Sequence, residues 1–399
     1  MMIKKIYALV VALVLALIPM TFSFDVGFAG SESGYGQTVE EQFDETINQQ
    51  LENLDLSGLN KFFDEYCTDA LGIFADASLM DKIKQIINGD FGADTGSILQ
   101  GLANVFLSEI ISFLPLISSI IAIAVLASIL TQLKSNDSSV GDIIHFVCFG
   151  VIVVIIMSAV VKMINLTATA LSLLSGQMEL VFPLLLTMLT ATGGTVSAAV
   201  YQPAVALLTT GVAKIFSTIL LPLFVFSVVF TVISHISPSI KLSKTAGFCF
   251  SLFKWIIGIV FTVFMAFLAI KGITAGSIDT VSFKTARYSL SAYVPIVGGY
   301  LSEGLNLILA SCHVIKSAIG TCGLLILFSS IIAPLVELIL FRLALKFMGA
   351  VLEPLSDGRI SNFVSGLGKV FVMPIAMILA VAFMYIVFMG LIMCTTIGI

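Results

Sequence analysis

Charge is the scarcest ingredient of this chain. Of 399 residues, 11% are Asp, Glu, Lys or Arg, against 58% hydrophobic residues and a mean hydropathy of +1.11. A water-soluble domain of this length has no way to hide that much apolar surface, so the composition specifies a polytopic helical membrane protein. Chemistry-bearing motifs are equally sparse. The three histidines, His145, His235 and His313, are far apart in sequence, and neither a His-Glu-x-x-His run nor paired-cysteine metal spacing occurs. Gly366-Leu367-Gly368-Lys369 lacks the upstream glycine and the hydroxyl residue of a phosphate-cradling loop. These absences leave no catalytic, metal or cofactor constellation, and any ATP-driven step belongs to another chain. Of six cysteines only Cys67 precedes the apolar body, which excludes a disulfide framework.

The charge that is present is segregated. Residues 31–104 carry 14 acidic and 3 basic side chains, whereas residues 105–399 carry 9 acidic and 14 basic. An acidic front ahead of a basic membrane body places the front outside the cytoplasm. Lys4 and Lys5 precede an apolar run from Ile6 to Ile18, broken by Pro19 and followed by small residues at Gly27 and Ala29. This reads as a signal peptide over 1–29, cleaved or retained as an anchor. The segment 31–104 is then exported. Val39, Phe43, Ile47, Leu51 and Leu54 mark one helix face, with a break expected at Ser57-Gly58. Leu59, Phe62, Phe63 and Tyr66 mark a second stripe. Ser78 and Asp81 form a capping pair that opens a third helix, stopping at Gly89. Three short helices make either a partner surface or a cap on the membrane body.

The membrane body contains a repeated frame. Thr209–Leu223 and Thr321–Leu335 share Thr, Gly, Phe, Ser, Ile, Pro and Leu in register, and Pro183 and Pro295 keep the same offset as Pro222 and Pro334. The expected plan is two spans over 105–164, then one repeat over 165–270 and another over 276–393. Each repeat starts with an amphipathic stretch (166–176; 281–291). A Pro-led segment interrupted by glycines comes next: 182–208 with Gly193-Gly194, and 294–319 with Gly298-Gly299. Each half of those segments is too short to cross alone, so they read as half-helices or re-entrant hairpins, or as tightly packed short helices. Phe-Ser…Pro-Leu spans and Lys-flanked final spans complete the units. The sum is six full spans and two hairpins. The Lys241/Lys244/Lys254 loop and the Arg342–Lys369 loop are assigned inside; the Lys271/Lys284/Arg287 loop dissents.

Charges inside apolar stretches are the candidates for function, because a bilayer-buried charge costs about 2.5–3.5 kcal/mol even on insertion scales. Glu109, Glu179, Lys214, Glu303 and Glu337 read as a polar path between the repeats, with Lys214 and Glu337 on matched spans, or as structurally paired charges. Lys162 and Lys316 read as part of that set or as snorkelling side chains.

Three stretches carry a family resemblance: Gly193–Pro203 (GGTVSAAVYQP), the Asn88-Gly89-Asp90 helix exit, and the run from Gly272 through Thr285-Ala286 to Pro295-Ile296-Val297-Gly298. Together the chain resembles the stage III sporulation protein AE family of endospore-forming Firmicutes along essentially its whole length. The resemblance implies a protein made in the mother cell and placed in the membrane around the engulfed forespore. It implies a multi-protein channel or secretion-like complex, with other membrane and ring-forming subunits, a separate secretion-type ATPase and a forespore-side partner, and it implies no catalytic residues. The competing readings are a stand-alone secondary transporter with a solute site between the repeats, and a structural anchor for the complex.

Overall fold

The computed structural model describes residues 36–66, 78–88, 95–133, 138–236, 242–293, 298–354 and 358–395. The expected signal peptide, Cys67, Gly89 and Pro295 lie outside them. Every described element is helical. Three short helices come first: α1 (Gly36–Glu52), α2 (Ser57–Tyr66) and α3 (Leu79–Ile87). Long helices come after them: α4 (Thr95–Leu133) and α5 (Ser138–Ala191), then α6 (Thr195–Ala206). Two π-helical turns (Leu207–Val212 and Phe216–Leu220), joined by Ala213–Ile215, carry α6 into α7 (Leu221–Ile236). The rest is α8 (Ser243–Tyr293), α9 (Gly298–Leu352), α10 (Gly358–Val370) and α11 (Val372–Cys394). Among the described residues, six helical stretches are long and apolar enough to cross a bilayer: 98–130, 146–191, 195–235, 244–269, 307–352 and 360–394.

Several expected boundaries move. Ser57-Gly58 does not break a helix. It starts α2, with Asp55 accepting from the Ser57 N–H and hydroxyl, bonds that hold its carboxyl below the usual range. Helix α4 begins ten residues before the span expected at 105, so the 104/105 boundary falls inside a helix. The expected second span, the amphipathic stretch 166–176 and the first part of the Pro183-led segment, to Ala191, are one unbroken helix, α5. Pro183 sits inside it and leads nothing. Gly298 and Gly299 open α9 rather than interrupt a segment. Gly193-Gly194 does mark a break, but its arms are not half-helices, since both continue into long ones.

Helix α11 is apolar on every side, and such a helix belongs in a core. It is the central element, with Met373, Ile378, Tyr385, Phe388 and Ile392 all fully buried. Aromatic edges lock it to its neighbours: Phe182–Phe388 at 4.9 Å, Phe182–Tyr385 at 5.1 Å and Phe224–Phe371 at 5.4 Å between centroids. Helices α5 and α9 flank it, and α4 packs on both.

Exposed chemistry divides the molecule into two zones. On α5 the exposed described residues up to Val161 are apolar apart from Ser158, whose hydroxyl is turned back onto Ile155 O; they include Ile143, Phe146, Val151 and Val154. From Lys162 they turn polar: Lys162, Asn165, Thr169, Ser172, Glu179, Thr187 and Thr190. At 54 residues α5 is about 80 Å long, against a hydrocarbon layer of about 30 Å. The stretch from 143 to 161 is about one such layer long, and α5 continues for 30 residues past it. The short helices pack on this continuation. Leu51, Leu59, Leu79 and Ile83 are buried there, Cys312 Sγ of α9 donates to Gln50 Oε1 of α1 at 3.2 Å, and Gly176 of α5 faces Phe62 of α2. Of the two expected roles for these helices, the packing is that of a cap on the bundle.

Candidate functional site

At the border of the zones three charges from three helices meet. Lys162 Nζ of α5 lies 2.7 Å from Glu337 Oε1 of α9, with the lysine side chain 67% exposed and the glutamate 11%. Glu109 of α4 lies within electrostatic reach of the same ammonium and accepts from Ser112 Oγ. Their exposed neighbours include the apolar Ile110, Val161 and Ile339. An ion pair in such surroundings is costly to dehydrate and costlier to break, so each member depends on the other. The geometry decides one open alternative: Lys162 is held by an ion pair with Glu337 and does not merely snorkel.

Beyond the border, α5 turns back on itself. Gly193 takes φ 87°, a conformation that favours glycine. Gly193 N–H donates to Thr190 O and Gly194 N–H to Leu189 O, both at 2.9 Å, which closes the carbonyl end of α5 in a Schellman turn. Gly194 is also the first residue of the next cap and has no side chain to offer the open N–H groups of α6. Asp279 of α8 supplies the missing acceptor: Val196 N–H donates to Oδ1 at 3.0 Å and Ser197 N–H to Oδ2 at 2.7 Å. A carboxylate at a helix N-terminus is favoured by hydrogen bonds and by the helix dipole together. Asp279 is 1% exposed, so these bonds compensate a buried charge.

The returning arm pairs with α5 through Ser175 Oγ, which donates to Thr209 O at 3.0 Å. Its outward residues continue the polar face: Gln202, Thr210, Lys214, Ser217 and Thr218 are exposed. Lys214 sits on the short link between the two π turns, on the same exposed hairpin as Glu179. Wide turns of this kind are rare and concentrate at functional sites. Glu303 lies in the first turns of α9, and its side chain is outside the described residues.

Lys316, like Asp279, is 1% exposed, and it donates to Thr395 O at 2.7 Å at the C-terminal end of α11. Thr395 Oγ1 also meets Tyr201 OH of α6 at 3.1 Å. This node joins the hairpin to the last helix. Sequence reasoning missed Asp279, Tyr201 and Thr395. The available signal was that Asp279 is the sole acidic residue of α8.

The expected path therefore divides. Glu109 and Glu337 join Lys162 at the border, Glu179 and Lys214 lie on the exposed hairpin face, and the space between the helices is packed with Phe182, Phe216, Phe224, Tyr385 and Phe388. Pro183 and Pro334 lie inside helices, and Pro222 comes just after a π turn.

Similarity to known proteins extends over most of this architecture. The family model described as Stage III sporulation protein AE matches residues 77–396. A Bacillus subtilis (strain 168) protein of that name is 21% identical over 374 residues, spanning 93% of this chain and 92% of that protein. No solved structure matches the chain.

Proposed function

The chain belongs to the stage III sporulation protein AE family, and from that premise we propose that it is the integral membrane subunit of a sporulation-specific channel or secretion-like complex linking mother cell and forespore. It would sit in the mother-cell-derived membrane around the forespore and serve development after engulfment. One observation carries the reading: an apolar-jacketed bundle continues into a polar hairpin head, and the three N-terminal helices cap that same head. An exported N-terminus puts the head in the space between the two membranes, where ring-forming subunits and a forespore-side partner would meet it. Because the interior of one chain is packed, the conduit forms between subunits, with Glu179, Lys214 and their hydroxyl neighbours on its wall. The stretches 165–270 and 276–393 are read as products of one duplication. The chain works by binding and conduction, without catalysis, and a separate ATPase supplies any driving force.

Cysteine mapping in sporulating cells tests this. Single cysteines replace Ser172, Glu179, Gln202, Thr210 and Lys214, in a chain whose six native cysteines are replaced. A membrane-impermeant thiol reagent should label them from the intermembrane side, and a bulky label should stop forespore development. Labelling with no effect on development sinks the conduit. That result, with the aromatic-filled core, favours a structural anchor.

A further inference from the structure

Helix α7 packs along both α8 and α10, and the two leave a cleft of about 620 Å³ above it. We propose that this cleft binds the phosphate headgroup of an anionic phospholipid. Its described lining holds no carboxylate and one cation, Lys369, in the last turn of α10. Lys369 makes no ion pair among the described residues. Asn362 is exposed on the same helix, one and a half to two turns away.

The floor is also unsatisfied. Ser227 lines the cleft at 0% exposure, and its Oγ has no hydrogen-bond partner among the described residues. A buried hydroxyl without a partner costs free energy, which a ligand oxygen recovers. His235 Nδ1 donates to Thr231 O at 2.7 Å, because a carbonyl only accepts, so Nε2, beside Gly366, is an acceptor in the neutral ring and donates to a phosphate oxygen only when the ring is protonated. A cation, an amide and a hydroxyl thus line one cleft whose described lining has no carboxylate.

A phospholipid fits better than a free anion because one wall is apolar. Phe250 lines the cleft, with Lys254 Nζ 4.2 Å from its ring centroid. Outside it, Phe226 of α7 and Phe248 and Trp255 of α8 are exposed, at 55%, 65% and 72%. Acyl chains would lie on these residues while the headgroup sits inside. Cationic pockets between membrane helices select anionic lipids by this combination. The proposal is independent of any conduit.

The test uses the full chain purified in micelles, stripped of lipid and titrated with phosphatidylglycerol or phosphatidylcholine of identical acyl chains, with native mass spectrometry reading retained lipid. Phosphatidylglycerol should be retained at concentrations at least tenfold below phosphatidylcholine. Lys369→Gln should raise that concentration at least tenfold. Gly247→Leu should do the same by filling the cleft, since an added Cβ there meets nothing within 4 Å and leucine favours the helix. Lys346→Gln, the same charge change off the cleft, should leave retention unchanged. Equal retention of the two lipids, or equal losses in the Lys369 and Lys346 variants, overturns the site. Displacement of the lipid by inorganic phosphate at equal concentration overturns the lipid assignment in favour of a soluble anion.

Discussion

The stretches 209–223 and 321–335 share seven residues in register and yet live in different surroundings. Gly323 is buried where α5, α9 and α11 cross. Its carbonyl accepts from Gln177 Nε2 at 2.8 Å, and an added Cβ would come within 2.9 Å of Met389 and 3.0 Å of Val181. Gly211 meets nothing closer than 3.9 Å, from Leu207 of its own helix. Ile331 is 5% exposed and Ile219 48%. Ser329 is buried and Ser217 exposed. The backbone explains the reversal. The second stretch is continuous α-helix, whereas the first passes through two π turns, each adding a residue and rotating the next part of the helix by about 100°. Shared letters fix which residues recur; hydrogen-bond register decides which way they face.

The largest test of that contrast exchanges the charges. Lys214 corresponds to Ile326, which is fully buried. Ile326→Lys should cost at least about 3 kcal/mol and abolish accumulation of folded protein, while Lys214→Ile should accumulate normally, both read by immunoblot of membranes. Next, Gly323→Ala should destabilise by about 1–3 kcal/mol through overpacking, measured by unfolding in micelles. The third test uses Glu337, whose counterpart is the half-buried Val225. Glu337→Gln should cost about 1–2 kcal/mol, limited because the Lys162 side chain is two-thirds exposed, and Lys162→Met in the same chain should recover part of it. Smallest, Gly211→Ala should be neutral or stabilising by up to about 1 kcal/mol. If the two glycine variants lose stability equally, the stretches are equivalent and the contrast is broken.

What was legible in the sequence was local. Helical class and membrane-spanning length follow from composition. The Ser78–Asp81 cap, the buried face at Ile47 and Leu51 and the turn at Gly193-Gly194 follow from residues within a few positions of each other. Helix α11 was legible within a couple of residues because Lys369 and its apolar run bound it. What failed depended on distance or register. Pro183 suggested a helix start, yet α5 runs through it, supported by packing on α9 and α11. The Lys162–Glu337 pair spans 175 positions, and no local pattern announces it. The π turns leave no periodic signature, so the outward rotation of Lys214 was not readable.

One contact also sets an order of events. The α6 N-terminus receives its acceptor from Asp279, 82 residues later in the chain. At synthesis rates of about 5–20 residues per second, that carboxylate leaves the ribosome roughly 4–16 seconds after the turn it completes. During that interval the hairpin tip carries open N–H groups, beside a glycine turn that is already closed. The tip is therefore finished only after α7 and most of α8 have been made, which leaves a timed interval in which an insertion factor or another subunit can act on it.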